Sequence, residues 1–134
     1  MKPIRIGLLG FGTVGTGTYR MLADNCEAIT RKAGLPMEVV RVGVRDLEKP
    51  READRGLFTC DLESIVDASD VDVVVELMGG IEPAAKLVER ALINGKHVVT
   101  ANKELIAKHG SRLVHLARQK GLDLHYEAAV GGGI

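Results

Sequence analysis

Gly10-Phe11-Gly12-Thr13-Val14-Gly15, directly after the apolar run Ile4-Arg5-Ile6-Gly7-Leu8-Leu9, decides the fold. The six residues match G-x-G-x-x-G, and the segment that follows is helix-like. Strand, glycine turn and helix in that order turn a weak pattern into a dinucleotide-binding signal. Each glycine has its own reason to be there. Gly10 permits the tight turn, Gly12 leaves room for a pyrophosphate against the backbone, and Gly15 lets the helix pack close to the strand. The free N–H groups of the helix start then face the anion, aided by the helix dipole. The competing reading of the bare pattern is a glycine-rich turn that binds nothing.

Outward from this stretch the chain alternates strands and helices. A helix is expected from about Thr13 to Lys32, with Val14, Thr18, Met21, Leu22 and Ile29 at roughly helical spacing. Gly34 serves as its cap and Pro36 as a stop. Met37 to Arg45, rich in valine, reads as a second strand, and the charged residues 46–58 as a surface loop. A short helix spans Leu62 to Ala68 with Asp61 as its N-cap and Ser64 in its first turn. The near-unbroken valine run Val71 to Leu77 suits a strand covered on both faces. Glu82-Pro83 opens a helix that carries Ala84, Leu87, Val88 and Ala91 inward and ends at Asn94-Gly95. His97 to Thr100 is a short strand and Asn102 to Lys120 a helix, with Leu105, Ile106, Leu113, Leu116 and Ala117 on one side and Gly121 as cap. Leu122 to Tyr126 is the fifth strand candidate. The pattern specifies an α/β fold, a doubly wound parallel sheet in a single domain.

Composition narrows the function classes. The 134 residues fit one domain with a real core, since 46% are hydrophobic. Eighteen basic and eighteen acidic residues give a formal net charge of zero, so there is no global field to attract nucleic acid or an anionic membrane. Aromatic residues are 3%, with no Trp, too few for a stacking platform for single strands. Cys26 and Cys60 form no C-x-x-C and read as two reduced thiols. No apolar run is long enough to span a bilayer, and Met1-Lys2-Pro3 leads straight into a strand. A cytoplasmic location is expected, with neither nucleic acid nor membrane as partner.

In a doubly wound sheet, ligands sit at the carboxyl ends of the strands. The chemistry-bearing residues fall at that edge. After the second strand, Arg45 can pair with a 2′-phosphate through a bidentate contact and Lys49 adds charge, which favours NADP; Asp46 offers NAD a carboxylate for the ribose hydroxyl instead. A solvated loop arginine is the plainer alternative. Gly79 and Gly80 let backbone approach a ribose or nicotinamide, or simply form a turn. Glu76 lies inside the apolar run, either paired at the sheet edge or turned to the site. Lys103 falls in the first turn of a helix, where the dipole disfavours a cation; an anionic ligand or a polarised carbonyl explains it, as does a surface lysine offset by Glu104. The four histidines show no ligand spacing. The tail Glu127-Ala128-Ala129-Val130-Gly131-Gly132-Gly133-Ile134 reads either as a frayed end or as the start of something longer.

Four stretches together resemble the amino-terminal, nucleotide-binding part of homoserine dehydrogenase: GLLGFGTVGTG at 7–17, VVVELMGG at 73–80, HVVTANKELIAKHG at 97–110 and YEAAVGGGI at 126–134. The first is common to many dehydrogenases; the last two are far more specific. The resemblance covers the whole chain. It implies an NAD(P)-dependent oxidoreductase that interconverts L-aspartate 4-semialdehyde and L-homoserine, on the route to threonine, methionine and isoleucine. It places cofactor contacts on Phe11, Gly12, Thr13 and Val14, with Arg45 near the adenosine phosphate and Thr100 and Lys103 near the nicotinamide. Lys103 matches a lysine implicated in cofactor binding and catalysis. A monovalent cation, usually sodium, is implied on main-chain oxygens at Glu127, Val130, Gly132 and Ile134. The family's substrate-binding and dimerisation domain is expected beyond residue 134, so the full-length protein is expected to be a homodimer and the chain alone to bind nucleotide weakly and without turnover. A non-catalytic NAD(P) sensor and a related dehydrogenase for another small aldehyde are the rival functions.

Overall fold

The computed structural model describes residues 2–24, 31, 34–49, 51, 53 and 55–126. Six strands form one parallel sheet: β1 (Ile4–Leu9), β2 (Met37–Gly43), β3 (Phe58–Thr59), β4 (Val73–Glu76), β5 (His97–Thr100) and β6 (Leu124–Tyr126). Their spatial order is β3-β2-β1-β4-β5-β6. The chain therefore builds outward from β1 to one side, returns, and builds to the other. The strand β1 lies at the switch point, between β2 and β4, and the glycine turn leaves from its end.

Among the described residues, four α-helices with full bounds cover the sheet: α1 (Thr13–Asp24), α2 (Leu62–Asp67), α3 (Ala84–Ile93) and α4 (Lys103–Gln119). Strand alternation sends Leu8 and Leu9 to opposite faces. Leu9, Val74 and Val98 join α2, α3 and α4 in one core, with Ala84, Val88, Ala91, Leu92, Leu105 and Leu113. Ile6, Leu8, Val42 and Val44 form a second core with Phe11, Tyr19 and Leu22 of the turn and α1, and with Phe58 of β3. Each fully buried aliphatic side chain contributes about 1.5–3 kcal/mol relative to exposure, so these two layers carry the fold.

The sequence expectation of one doubly wound α/β domain holds, with local corrections. The second strand stops at Gly43 rather than Arg45, and the valine strand spans Val73–Glu76 rather than Val71 to Leu77. The loop 46–58 contains a 3-10 turn at Arg55–Leu57 and gives its last residue to β3, so Leu124–Tyr126 is the sixth strand rather than the fifth. Asn102 and Pro83 precede their helices as N-caps. On α1, Val14 and Met21 are exposed, at 61% and 53%, while Tyr19 and Leu22 pack on the sheet. The cause is Gly15: it must face the strand, and Tyr19 and Leu22 follow it at i+4 and i+7. The expected continuation of this helix to Lys32, including Ile29, lies outside the described residues apart from Arg31, and so does Cys26.

The amino edge of the sheet is closed by ion pairs. Arg5 donates to Asp72 at 3.2 and 3.3 Å, and Arg41 to Asp70 at 2.9 and 3.1 Å. Arg90 of α3 binds Asp67 and Glu63. These guanidinium partners hold the carboxyls of Asp67, Asp70 and Asp72 below their ordinary value. Lys96 is 5% exposed, and its ammonium donates to the carbonyls of Ala68 and Val71, the latter at 2.8 Å. Burial lowers its pKa, against the pull of Asp72, Asp70 and Asp67.

Candidate functional site

The carboxyl edge is built differently. Gly10 adopts φ +107, a conformation that side chains other than glycine's rarely accept, and its N–H donates to the carbonyl of Gly43 at 2.9 Å. A Cβ on Gly15 would overlap the carbonyl oxygen of Gly10, so only glycine lets α1 start this close to β1. A Cβ on Gly12 would meet nothing within 4 Å. Its backbone faces open space, and the first turn of α1 begins one residue later. The first amides of any helix lack intrahelical acceptors, so this corner presents donors to an incoming anion. Thr16 N–H is the first to close back, onto the carbonyl of Gly12 at 2.8 Å.

Beside the turn lies a cleft of about 400 Å³ lined by Gly10, Phe11, Gly12, Arg45, Lys49 and Arg51, among others. It joins the glycine corner to the loop after β2. Arg45, Asp46 and Lys49 are exposed around it. One Asp46 oxygen accepts from the Glu48 N–H at 2.9 Å, so this carboxylate already shapes its own turn. Arg51 is half-buried, with its guanidinium over the Phe58 ring at 5.3 Å and donating to the carbonyl of Lys49 at 3.0 Å. Phe11 packs edge-on against Phe58 at 5.1 Å and Tyr19 at 5.8 Å. Three of the chain's four aromatic side chains thus brace the glycine turn against β3.

Across β1, the ends of β4 and β5 form a second group. Glu76 is fully buried. Its carboxylate accepts from the N–H of Met78 at 2.9 Å and of Gly79 at 3.3 Å, from the Thr100 hydroxyl at 2.5 Å, and from the Asn102 amide at 3.5 Å. The sequence left Glu76 open between pairing and facing the site; it is paired. Gly79 and Gly80 both take positive φ, +77 and +75, in the loop this carboxylate holds. Asn102 caps α4 by accepting from the Leu105 N–H at 3.0 Å, while its amide donates to the carbonyl of Gly80. Thr100 is buried, and its hydroxyl also accepts from the Asn102 N–H at 3.0 Å. Lys103, the first residue of α4, is exposed.

The structure therefore brings Gly10, Phe11, Gly12, Arg45 and Lys49 to one cleft, and Thr13 and Gly12 to an adjoining one of about 760 Å³ that also contains Lys49 and Arg51. Val14 is exposed on the first turn of α1 and Gly15 is buried beneath it. Gly79, Thr100 and Lys103 belong to the β4–β5 group. The expected cation ligands Glu127, Val130, Gly132 and Ile134 lie outside the described residues. Among the described residues, no group of three His, Cys, Asp or Glu could hold a metal ion, and no helix is long and apolar enough to cross a membrane. Sequence reasoning missed Arg51, whose partner ring sits on a strand too short to read, and Asn102 as a cap, although Asn ahead of an apolar helical period is a start signal.

Residues 10–127 match the family model described as the NAD binding domain of homoserine dehydrogenase. The chain is 44% identical to homoserine dehydrogenase of Bacillus subtilis (strain 168), covering 100% of this chain and 31% of that protein. It is 46% identical to that of Pseudomonas aeruginosa, again over 100% of this chain and 31% of the relative. The crystal structure of a homoserine dehydrogenase from Thiobacillus denitrificans superposes with a TM-score of 0.89 at 51% identity, covering 96% of this chain and 30% of that one. That of S. aureus at pH 6.0 superposes with 0.87 at 38% identity, covering 95% and 33%. The chain thus spans about three-tenths of the length of these relatives. With the model matched across most of its length, the chain belongs to the homoserine dehydrogenase family, as the NAD-binding domain.

Proposed function

We propose that the chain is the cofactor half of an NADP(H)-dependent enzyme that interconverts L-aspartate 4-semialdehyde and L-homoserine. The observation that carries the reading is Gly12: open backbone at a helix start, in the same cleft as Arg45 and Lys49. The residues fit the nucleotide. The 10–15 turn holds the pyrophosphate on backbone amides. Arg45 and Lys49, with Arg51 beside them, meet the adenosine 2′-phosphate. A bound nicotinamide supplies the redox chemistry, and the chain's own side chains bind and orient it. Lys103, exposed at the start of α4, is the side chain proposed to polarise a carbonyl at the reacting end.

A substrate domain and the contacts of a homodimer are proposed to lie outside the part spanned here, which is about three-tenths of the relatives' length. Backbone oxygens at Glu127, Val130, Gly132 and Ile134 are the proposed sodium ligands, a donor type that suits a hard cation. The chain alone is expected to bind nucleotide and to leave homoserine unoxidised. Titration with NADPH and NADH, repeated on Arg45→Ala, tests the reading. A loss of roughly tenfold confined to NADPH is expected for one charge-assisted pair. Equal losses for both nucleotides would remove the phosphate role, and absence of binding by the parent chain would remove the reading itself.

A further inference from the structure

We infer that Glu76 is the positioning residue of the nicotinamide half of the site, acting through Thr100 and Asn102. The inference rests on the reading of the chain as an NADP(H)-binding domain and adds to it a residue that touches no ligand.

Arg45 follows β2, on one side of β1, and β4 and β5 lie on the other. A dinucleotide bound at the switch point spans both sides, so with the adenosine phosphate at Arg45 the nicotinamide falls at the ends of β4 and β5. Two loops meet there, residues 77–80 and 101–102. Each is tied to a strand only at its first residue, through the Leu77 N–H to the Leu9 carbonyl at 2.9 Å and the Ala101 N–H to the Glu76 carbonyl at 3.4 Å.

Glu76 fixes both. One carboxylate oxygen accepts from the backbone N–H groups of Met78 and Gly79, which sets the 77–80 turn. The other accepts from the Thr100 hydroxyl at the end of β5. Thr100 in turn accepts from the Asn102 N–H, and the Asn102 side chain ties Gly80 to the capped start of α4. Every partner of the carboxylate is a donor: three reach one oxygen, and the Thr100 hydroxyl reaches the other. The chain of bonds ends one residue before Lys103, whose backbone position it dictates. The Thr100 hydroxyl, engaged inward on Glu76, contributes as a link rather than as a ligand contact. A carboxylate this deep costs free energy unless its bonds are made, and an apolar side chain in its place would leave the Met78 and Gly79 N–H groups and the Thr100 hydroxyl without an acceptor.

A nucleotide that lacks nicotinamide separates positioning from general stability. The probes are NADPH and 2′-phospho-ADP-ribose, titrated calorimetrically into the parent chain, Glu76→Ala, Glu76→Gln and Thr100→Val, each first checked for folding by circular dichroism. The parent binds both probes. Glu76→Ala is expected to weaken NADPH by roughly tenfold, the worth of one or two lost hydrogen bonds to a charged group, and to leave 2′-phospho-ADP-ribose within about twofold. Glu76→Gln recovers only part of the loss, because its oxygen can face the two amides while its NH2 takes the acceptor of the Thr100 hydroxyl proton away. If Glu76→Ala does not fold, Thr100→Val, which keeps the shape and removes only the hydroxyl, carries the same test. Equal weakening of both probes, or of neither, in a folded variant overturns the inference and leaves the proposed function standing. A parent chain that binds neither probe overturns both.

Discussion

The two edges of this sheet are made of the same strands and solve opposite problems. At the amino edge, charged side chains close on one another: Arg5 on Asp72, Arg41 on Asp70, Arg90 on Asp67, and Lys96 on two carbonyls. At the carboxyl edge, backbone is left open at Gly12, and Arg45 and Lys49 stand exposed around a cleft. The buried carboxylate there, Glu76, serves loops rather than ions. Charge at the first edge is paired internally; Arg45 and Lys49 at the second are exposed around the cleft. The contrast explains how a chain with a formal net charge of zero can have a locally basic cleft.

Substitutions at the two edges should therefore separate stability from binding. The largest effect is expected from Gly15→Val, where the new side chain would drive into the Gly10 carbonyl. A loss of about 3 kcal/mol in denaturant unfolding, together with loss of nucleotide binding, is the expected result for such overpacking. A variant of parental stability would break the close-approach argument. Next comes Lys96→Met at the amino edge. It strands the carbonyls of Ala68 and Val71 and should cost about 2 kcal/mol, while NADPH affinity stays within about twofold. An affinity change beyond that would mean that the edges are coupled. Gly12→Ala inverts the pattern. Its Cβ points into open space, so stability should change by under about 0.5 kcal/mol, yet the pyrophosphate would collide with it and binding should fall by roughly a hundredfold.

The smallest effect sharpens the amino edge. Asp70 and Asp72 have their carboxyls held down by Arg41 and Arg5, first through the side-chain hydrogen bond. Their folded values lie below the unfolded one, so the stabilisation is full above the ordinary aspartate value of 3.8 and fades as pH falls below it. Asp72→Asn should lower Tm by a few degrees at pH 7. The gap to the parent should shrink toward pH 3; a constant gap would show that the pair's charge contributes nothing.

Much of the fold was legible because its signals are local and periodic. The valine run, the glycine turn and the apolar faces of α3 and α4 all read directly. The face of α1 did not, because Gly15 rather than the apolar residues selects it, and that depends on where β1 lies. Strand β3 did not either: two residues at the end of a charged loop have no period, and Phe58 acquires its meaning only from Phe11 across the gap. Lys96 reads as part of a polar turn in Asn94-Gly95-Lys96, and nothing local says that its ammonium folds back onto carbonyls contributed from 25 and 28 positions away. Glu76 stood out as a carboxylate in an apolar run, but its partners come from two other segments. What sequence conceals here is tertiary pairing of polar groups.

The aromatic brace has a practical corollary. The chain contains no tryptophan, and Phe58 sits 5.1 Å from Phe11 with the Arg51 guanidinium 5.3 Å from its ring. An indole placed there by Phe58→Trp would be the molecule's single such fluorophore. It would adjoin both the diphosphate corner and a cation, whose field shifts emission wavelength. Occupancy of the cleft would then be readable as a colour change in dilute solution, with no label attached.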